Sequence, residues 1–484
     1  MSAIGLDLGT SRVKAVRFDA TWHAVDQQAE ATLVERPRPG WSEQRMPDVW
    51  AAAAHVLQAV AQRSPDAIEL IAITGQGDGC WLIDAPGEPI GPALLWNDGR
   101  ATEVLAQWER DGTLATAFRI NGCYGSSGLA NAQLRWLAEH EPGALRRATH
   151  LLSCSSWIYL QLTGRRVLDT SEAANPFLDA ETGRYDPTLL GLYGLADYGG
   201  LLPEMVTGAD RIAPLRADTA ASLGLVAGTP VALTPYDVVT STIGTGITRP
   251  GQGVAILGTT VCPAVVRDTP SLDRAPNGIT LPAGAPRRWL VAFPTMVGTE
   301  VLDWATALLG LHHIDDLMAL ASTAEPIASE RPLLLPYLSP AGERSPFLHP
   351  GIRGSLHGLT TAHTRADIAR STVDGLSLAV RDCVAVAGGA TTIALAGGGA
   401  RSELWASTIA DATGSTVACP DTAEVGARGA VLVGATDLGQ FTDIDQAVAV
   451  VSPGHTHAPD LSLAAVYDEL FARYRDTRTR LHGV

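Results

Sequence analysis

A mixed α/β fold divided into two related lobes is predicted by three observations on this 484-residue sequence. Strand-like and helix-like segments alternate along the chain. A strand, a hydroxyl-rich turn and a second strand between Ala3 and Ala20 are echoed between Val254 and Val266. The length also exceeds what a single hydrophobic core ordinarily supports.

Each element follows from its residue pattern. Ile4, Leu6 and Leu8 alternate along one strand, Gly9-Thr10-Ser11 makes a tight turn, and Val13 to Phe18 supplies the returning strand. Pro47 to Arg63 and Asn131 to His140 carry helical periodicity, whereas Glu69 to Thr74 and Trp81 to Asp84 read as extended. Val231 to Pro235 forms an apolar strand that delivers Tyr236 and Asp237 into a loop. Val254 to Leu257, Gly258-Thr259-Thr260 and Val261 to Val266 repeat the opening device, as duplicated lobes would. A helix runs from Arg365 to about Val386, followed by the strand Thr391 to Ala396, the turn Gly397-Gly398-Gly399 and a helix from Glu403 to Thr413. The glycines and proline crowded between Ile243 and Gly253 mark a lobe boundary, giving lobes at 1–245 and 246–484. No low-complexity linker intervenes, so the lobes are expected to meet at a central cleft.

Composition narrows the function. With 51 acidic against 35 basic residues, the formal charge of -16 argues against a broad nucleic-acid surface. One nucleotide held by backbone amides and a metal ion stays compatible with it. The six cysteines are scattered, with no CxxC pair, and read as reduced thiols. No long apolar run and no signal-like start occur, so the expected location is the cytoplasm, away from membranes.

Several short stretches carry the chemistry. Asp7 precedes the Gly9-Thr10-Ser11 turn, whose amides and hydroxyls suit phosphate oxygens, and its carboxylate suits Mg2+. Gly258-Thr259-Thr260 provides a second such turn, though either could be an ordinary hairpin tip. Gly397-Gly398-Gly399-Ala400 leaves uncluttered backbone for a flat nucleoside, where a plain strand-to-helix turn would need one glycine. No GxxxxGK[ST] motif exists, which excludes a P-loop enzyme. Gly75-Gln76-Gly77-Asp78-Gly79 runs into an extended segment rather than a helix, so it is no dinucleotide fingerprint. It suits a hydroxylated ligand. Trp96 to Arg100 combines an aromatic ring with polar groups, as sugar sites do, although a helix cap at Asp98 explains part of it. Asp237 is a candidate base for a phosphoryl acceptor.

Together these segments resemble the FGGY carbohydrate kinases of the actin-like ATPase superfamily, over nearly the whole chain. The most specific stretch is Gly354-Ser355-Leu356-His357-Gly358-Leu359, continued through Asp367-Ile368 to Ser371-Thr372-Val373-Asp374, with Gly342-Glu343-Arg344-Ser345-Pro346 upstream. Trp41-Ser42-Glu43-Gln44 is also similar to the family. The resemblance implies two actin-like (ribonuclease H-like) ATPase lobes and ATP-dependent phosphorylation of a small sugar or polyol. It makes Asp237 the catalytic base and gives Asp7 to magnesium. Gly9, Thr10, Ser11, Gly258, Thr259 and Thr260 go to phosphate, and Gly298, Gly398, Gly399 and Ala400 to the nucleoside. Gly77, Asp78 and Trp96, with Asp237, would face the acceptor.

The departures fall mainly in the presumed acceptor pocket. Gly77-Asp78 stands where xylulose kinases usually have Met-His and glycerol kinases Arg-Glu, and Val238 replaces a common amide. Ala130 and Gln133 also depart from the N-terminal signature. A pentulose such as xylulose is the first expected acceptor, and erythritol or a related tetritol or pentitol the alternative. An actin-like ATPase switch without sugar kinase activity is the competing class. Oligomeric state stays open, a homodimer included.

Overall fold

A computed structural model describes residues 2–173, 175–324 and 331–484. The chain divides into two compact units, each discontinuous in sequence. The first comprises Met1–Thr248, Asp268–Leu290 and Glu424–Val451, and the second Arg249–Arg267, Val291–Ala423 and Ser452–Val484.

A six-stranded sheet organises the first unit in the order Ile212–Pro214, Pro230–Leu233, Leu70–Gly75, Ala3–Leu8, Arg12–Phe18 and Ala24–Ala31. Ala3–Leu8, Leu70–Gly75 and Pro230–Leu233 are parallel, with Asp7 beside Thr74 and Leu233 beside Ile73. The strand Arg12–Phe18 runs antiparallel to Ala3–Leu8 and places Lys14 opposite Asp7. These strands alternate between two faces. Ile4, Leu6, Ile71, Ile73, Val231 and Leu233 bury themselves with the helix Met46–Arg63. Ala3, Ala72 and Ala232 face the helix Val425–Asp437. Small residues on that second face permit a close approach: a Cβ on Gly5 would lie 2.9 Å from the Ala427 Cβ.

The helix Val425–Asp437 also crosses the helix Asp237–Gly244 at backbone contact distance, since a Cβ on Gly244 would meet the Gly429 nitrogen at 2.9 Å. Arg428 Nε seals the crossing by donating to the Gly244 carbonyl at 2.8 Å. Asp237 therefore opens a helix, where the residue pattern reads as a loop. Val238, Val239, Thr240, Thr242 and Ile243 are β-branched and weak helix formers. Packing against the glycine-bearing helix overrides that preference, a tertiary effect invisible to local propensity.

The second unit repeats the plan. Its sheet includes, in order, Val261–Arg267, Gln252–Leu257, Thr392–Ala396, Thr416–Cys419 and His455–His457. A first antiparallel hairpin is joined to two parallel strands and an antiparallel edge, matching the sequence Arg12–Phe18, Ala3–Leu8, Leu70–Gly75, Pro230–Leu233, Ile212–Pro214 of the first unit. The predicted echo of the hairpin is thus part of a larger repeated topology. Leu257, Ile393, Leu395, Val373, Leu376 and Trp405 belong to its core, which the helices Arg365–Val386 and Glu403–Thr413 cover.

Candidate active site

In an open α/β sheet, ligands gather beyond the C-terminal ends of parallel strands. In the first unit three such ends lie side by side. Ala3–Leu8 leads into Gly9-Thr10-Ser11, Leu70–Gly75 into Gln76-Gly77-Asp78, and Pro230–Leu233 into Tyr236-Asp237. The Thr74 hydroxyl pins two of them together, donating to the Pro235 carbonyl and pairing with the Thr240 hydroxyl, each at 2.8 Å.

The turn at Thr10 is held from several sides. Its hydroxyl donates to Gln76 Oε1 at 2.8 Å and accepts from the Trp96 indole N-H at 2.9 Å. Gln76 Nε2 donates to Gln44 Oε1 at 2.8 Å, and Gln44 Nε2 to the Thr10 carbonyl at 2.7 Å. Trp96 is thereby fixed edge-on to the turn while its side chain stays half-exposed. Asp98 and Arg100 have a different task from the ligand contact read in their loop. The Arg100 guanidinium pairs with buried Asp98 and Glu43 and lies 3.9 Å over the Trp41 ring. That network, with Asp98 accepting from the Ser42 amide at 2.7 Å, uses both side chains to anchor the loop.

Around Gly77 the packing is tight. A methyl group there would fall 2.7 Å from Tyr236 Cζ, so the turn closes against that ring only because Gly77 lacks one. Asp78 takes a left-handed backbone, φ 57°, and accepts from Asn175 Nδ2 at 3.0 Å. A pocket beside it is lined by Asp78, Gly79, Ser153, Glu172, Asn175 and Tyr185.

The electrostatics of this group are dominated by carboxyls. Burial, against the pull of Lys14 and with a push from Glu424, raises the Asp7 carboxyl to about 6. Burial first, then Asp7 and more weakly Asp78, hold Asp237 well above the usual carboxylate range, against a hydrogen bond from the Val238 amide. Glu172 is likewise raised by burial and by Asp78, Asp237 and Asp169. Asp7 and Asp237 are nonetheless only partly covered from solvent. Recessed acids that repel one another require a cation or retained protons to share a small space.

In the second unit Gly258-Thr259-Thr260 caps the hairpin, with the Gly258 amide donating to the Thr260 carbonyl at 3.1 Å. Gly298 presses against it, for a Cβ there would lie 2.6 Å from the Thr260 Cα. Gly399 packs under the same strand end, where a Cβ would meet the Trp405 ring at 2.5 Å and the Leu257 Cβ at 2.8 Å. Gly398 faces open space, and Ala400 lies in the short helical turn Gly398–Arg401. The residues of this unit that the sequence suggested for phosphate and nucleoside thus form one neighbourhood at the ends of Gln252–Leu257 and Thr392–Ala396.

Sequence reasoning missed Lys14, Glu424, Glu172 and Asn175. Lys14 was within reach, because the register of the opening hairpin sets it opposite Asp7. Its partner was not: Lys14 Nζ meets Glu424 Oε2 at 2.6 Å across a sequence separation of 410. Gly426 follows, and a Cβ on it would stand 3.0 Å from Asp7 Oδ2, so the late helix packs directly behind that carboxylate.

Comparison with known proteins matches this architecture. Residues 2–244 fit the FGGY family of carbohydrate kinases, N-terminal domain, and residues 253–438 its C-terminal domain. The chain is 31% identical to the erythritol kinase of Brucella abortus, covering 99% of this chain and 96% of that one. It is 29% identical to the xylulose kinase of Escherichia coli, over 99% and 98% of the two chains. The ligand-bound xylulose kinase of Lactobacillus acidophilus superposes with a TM-score of 0.94, covering 100% and 99% at 23% identity, a likeness of fold. The chain belongs to the FGGY family of carbohydrate kinases, phosphotransferases that take an alcohol group as acceptor.

Proposed function

We propose that this chain transfers the γ-phosphoryl group of Mg-ATP to a terminal hydroxyl of a small sugar or polyol, a pentulose such as xylulose being the first candidate. The observation that carries this reading is the grouping of Asp7, Asp78 and Asp237 at or just beyond neighbouring strand ends, with burial and Asp7 raising the proton affinity of Asp237. A carboxylate of raised affinity is suited to take the proton of an attacking hydroxyl. Asp237 orients the acceptor oxygen and removes its proton as the new bond to phosphorus forms and the bond to ADP breaks.

The remaining residues divide between the two substrates. Gly77, Asp78 and Trp96 bind the acceptor, with Asn175 fixing the Asp78 carboxylate at 3.0 Å. Asp7 is the residue for Mg2+, directly or through its waters: an oxygen donor whose anionic form is disfavoured by burial gains from a hard cation. When bound, Mg2+ supplies neutralising charge to the phosphate oxygens. Gly9, Thr10 and Ser11, and on the second unit Gly258, Thr259 and Thr260, offer amides and hydroxyls to those oxygens. Gly298, Gly398, Gly399 and Ala400 hold the nucleoside, and at Gly298 and Gly399 even a Cβ has no room.

A tetritol or pentitol such as erythritol is the second candidate acceptor. The Gly77-Asp78 turn favours it, because fewer donors there suit a shorter or differently configured chain, and so does the 31% identity to an erythritol kinase. We place the enzyme in the cytoplasm, where scattered cysteines without a CxxC pair, as the six here are, stay reduced. The described helices include none long and apolar enough to cross a membrane. ADP release measured over ketopentoses, pentitols, tetritols and glycerol tests the proposal. Acceptor-dependent release is expected with one four- or five-carbon compound. ATP turnover that no member of the panel stimulates would defeat it.

A further inference from the structure

In the second unit, the edge strand His455–His457 carries imidazoles at alternate positions, which a β-strand points to the same face. The helix Glu403–Thr413 begins beside that face, and Glu403 Oε2 lies 3.5 Å from His455 Nε2 and 3.3 Å from His457 Nε2. The ligand atoms of the three residues lie within 4.8 Å of one another. The backbone is shaped to bring them there. Gly454, at φ 67°, lets the chain turn onto the neighbouring strand, where a Cβ would meet the Pro420 carbonyl carbon at 2.9 Å.

An ordinary ion pair explains this grouping poorly. His457 Nε2 is enclosed and makes no hydrogen bond among the described residues, although the carboxylate oxygen is within 3.3 Å. Both nitrogen-to-carboxylate spacings fit a shared cation instead: ligands about 2.0–2.2 Å from a tetrahedral zinc ion stand roughly 3.3–3.5 Å apart. We propose that Glu403, His455 and His457 form a site for a borderline divalent transition-metal ion, of which Zn2+ is the representative. Two imidazoles and one carboxylate leave a fourth position for water and prefer Zn2+, Co2+, Ni2+ or Cu2+ to Mg2+, which demands oxygen ligands in octahedral geometry. The ion clamps the sheet edge to the start of the helix that follows the Gly398–Arg401 turn, and it is separate from the magnesium assigned to Asp7.

Isothermal titration of the full-length, tag-free protein with Zn2+ alone, in excess Mg2+, tests the site. Glu403 and His455 are exposed, so Glu403→Gln and His455→Ala leave the fold intact and serve beside His457→Ala. One Zn2+ per chain is expected, with affinity lowered by about tenfold or more in each variant. The melting temperature should rise with Zn2+ in the parent protein and stay unmoved in the double variant His455→Ala/His457→Ala. Equal Zn2+ affinity in the parent and that double variant, or displacement of the ion by millimolar Mg2+, overturns the proposal.

Discussion

Lys14 Nζ and the Glu424 carboxylate lie 2.6 Å apart, joining the second strand of the chain to the residue that precedes the helix Val425–Asp437. Both influence Asp7, Lys14 lowering its proton affinity and Glu424 raising it. A residue placed by the first turn of the sequence thus has its charge set partly by a segment that arrives near the end. The same segment packs behind Asp7 through Gly426 and locks the helix that begins at Asp237.

Asp237→Asn keeps the shape of the side chain and removes its capacity to take a proton. Turnover is expected to fall about 10²–10⁴-fold, the usual contribution of a positioned base. Nucleotide affinity, measured by titration calorimetry, should stay within about threefold, because the residues proposed for the nucleoside belong to the second unit. Near-parental turnover would remove Asp237 from the mechanism.

Gly298→Ala sets a methyl group against the backbone of the Thr259-Thr260 turn, which cannot swing away as a flexible side chain could. ADP and ATP should bind at least about tenfold more weakly, since a displaced amide loses its aim at phosphate oxygen. Acceptor binding, followed by intrinsic fluorescence of the tryptophans, should change little. Unaltered nucleotide affinity would disconnect this turn from phosphate.

Thr10→Val removes the hydroxyl that receives the Trp96 N-H and donates to Gln76. Two polar groups then lose partners, and a loss of about 1–3 kcal/mol is expected in urea denaturation. Thr10→Ser retains the hydroxyl and should recover most of it. Equal stability of the valine and serine variants would show that this chain of hydrogen bonds contributes nothing.

Glu343, in the second unit, provides a pH test. Its Oε1 accepts from the amides of Met296, Arg344 and Ser345 at 2.7, 2.8 and 3.3 Å, while Oε2 is buried and makes no hydrogen bond among the described residues. Burial raises this carboxyl from 4.5 to about 7. The folded protein therefore holds a proton that the unfolded chain releases, and stability falls as pH climbs from about 4.5 to 7. Over that window the parent should lose about 3 kcal/mol relative to Glu343→Gln, whose side chain does not titrate. Parallel stability profiles of the two proteins would contradict a raised proton affinity.

The local pattern was enough for the alternating elements, the two hydroxyl-bearing hairpins, the acids at strand ends and the family signature from Gly354 to Asp374. These are short-range properties: strand alternation, turn chemistry and helix periodicity are written within about ten neighbouring residues. Pairing could not be read so far. The helix at Asp237 forms against its own β-branched composition because Gly429 and Gly244 let another helix touch it. The polar residues Asp98 and Arg100, read as ligand contacts, are used up by each other and by Ser42, Glu43 and Trp41. Glu172 joins the acidic group through a fold-dependent approach that raises its proton affinity. Residue type determined which chemistry was available to this chain. Tertiary structure decided which charges stand within reach of one another, because electrostatic and packing energies depend on separation and burial in space, whatever the distance along the sequence.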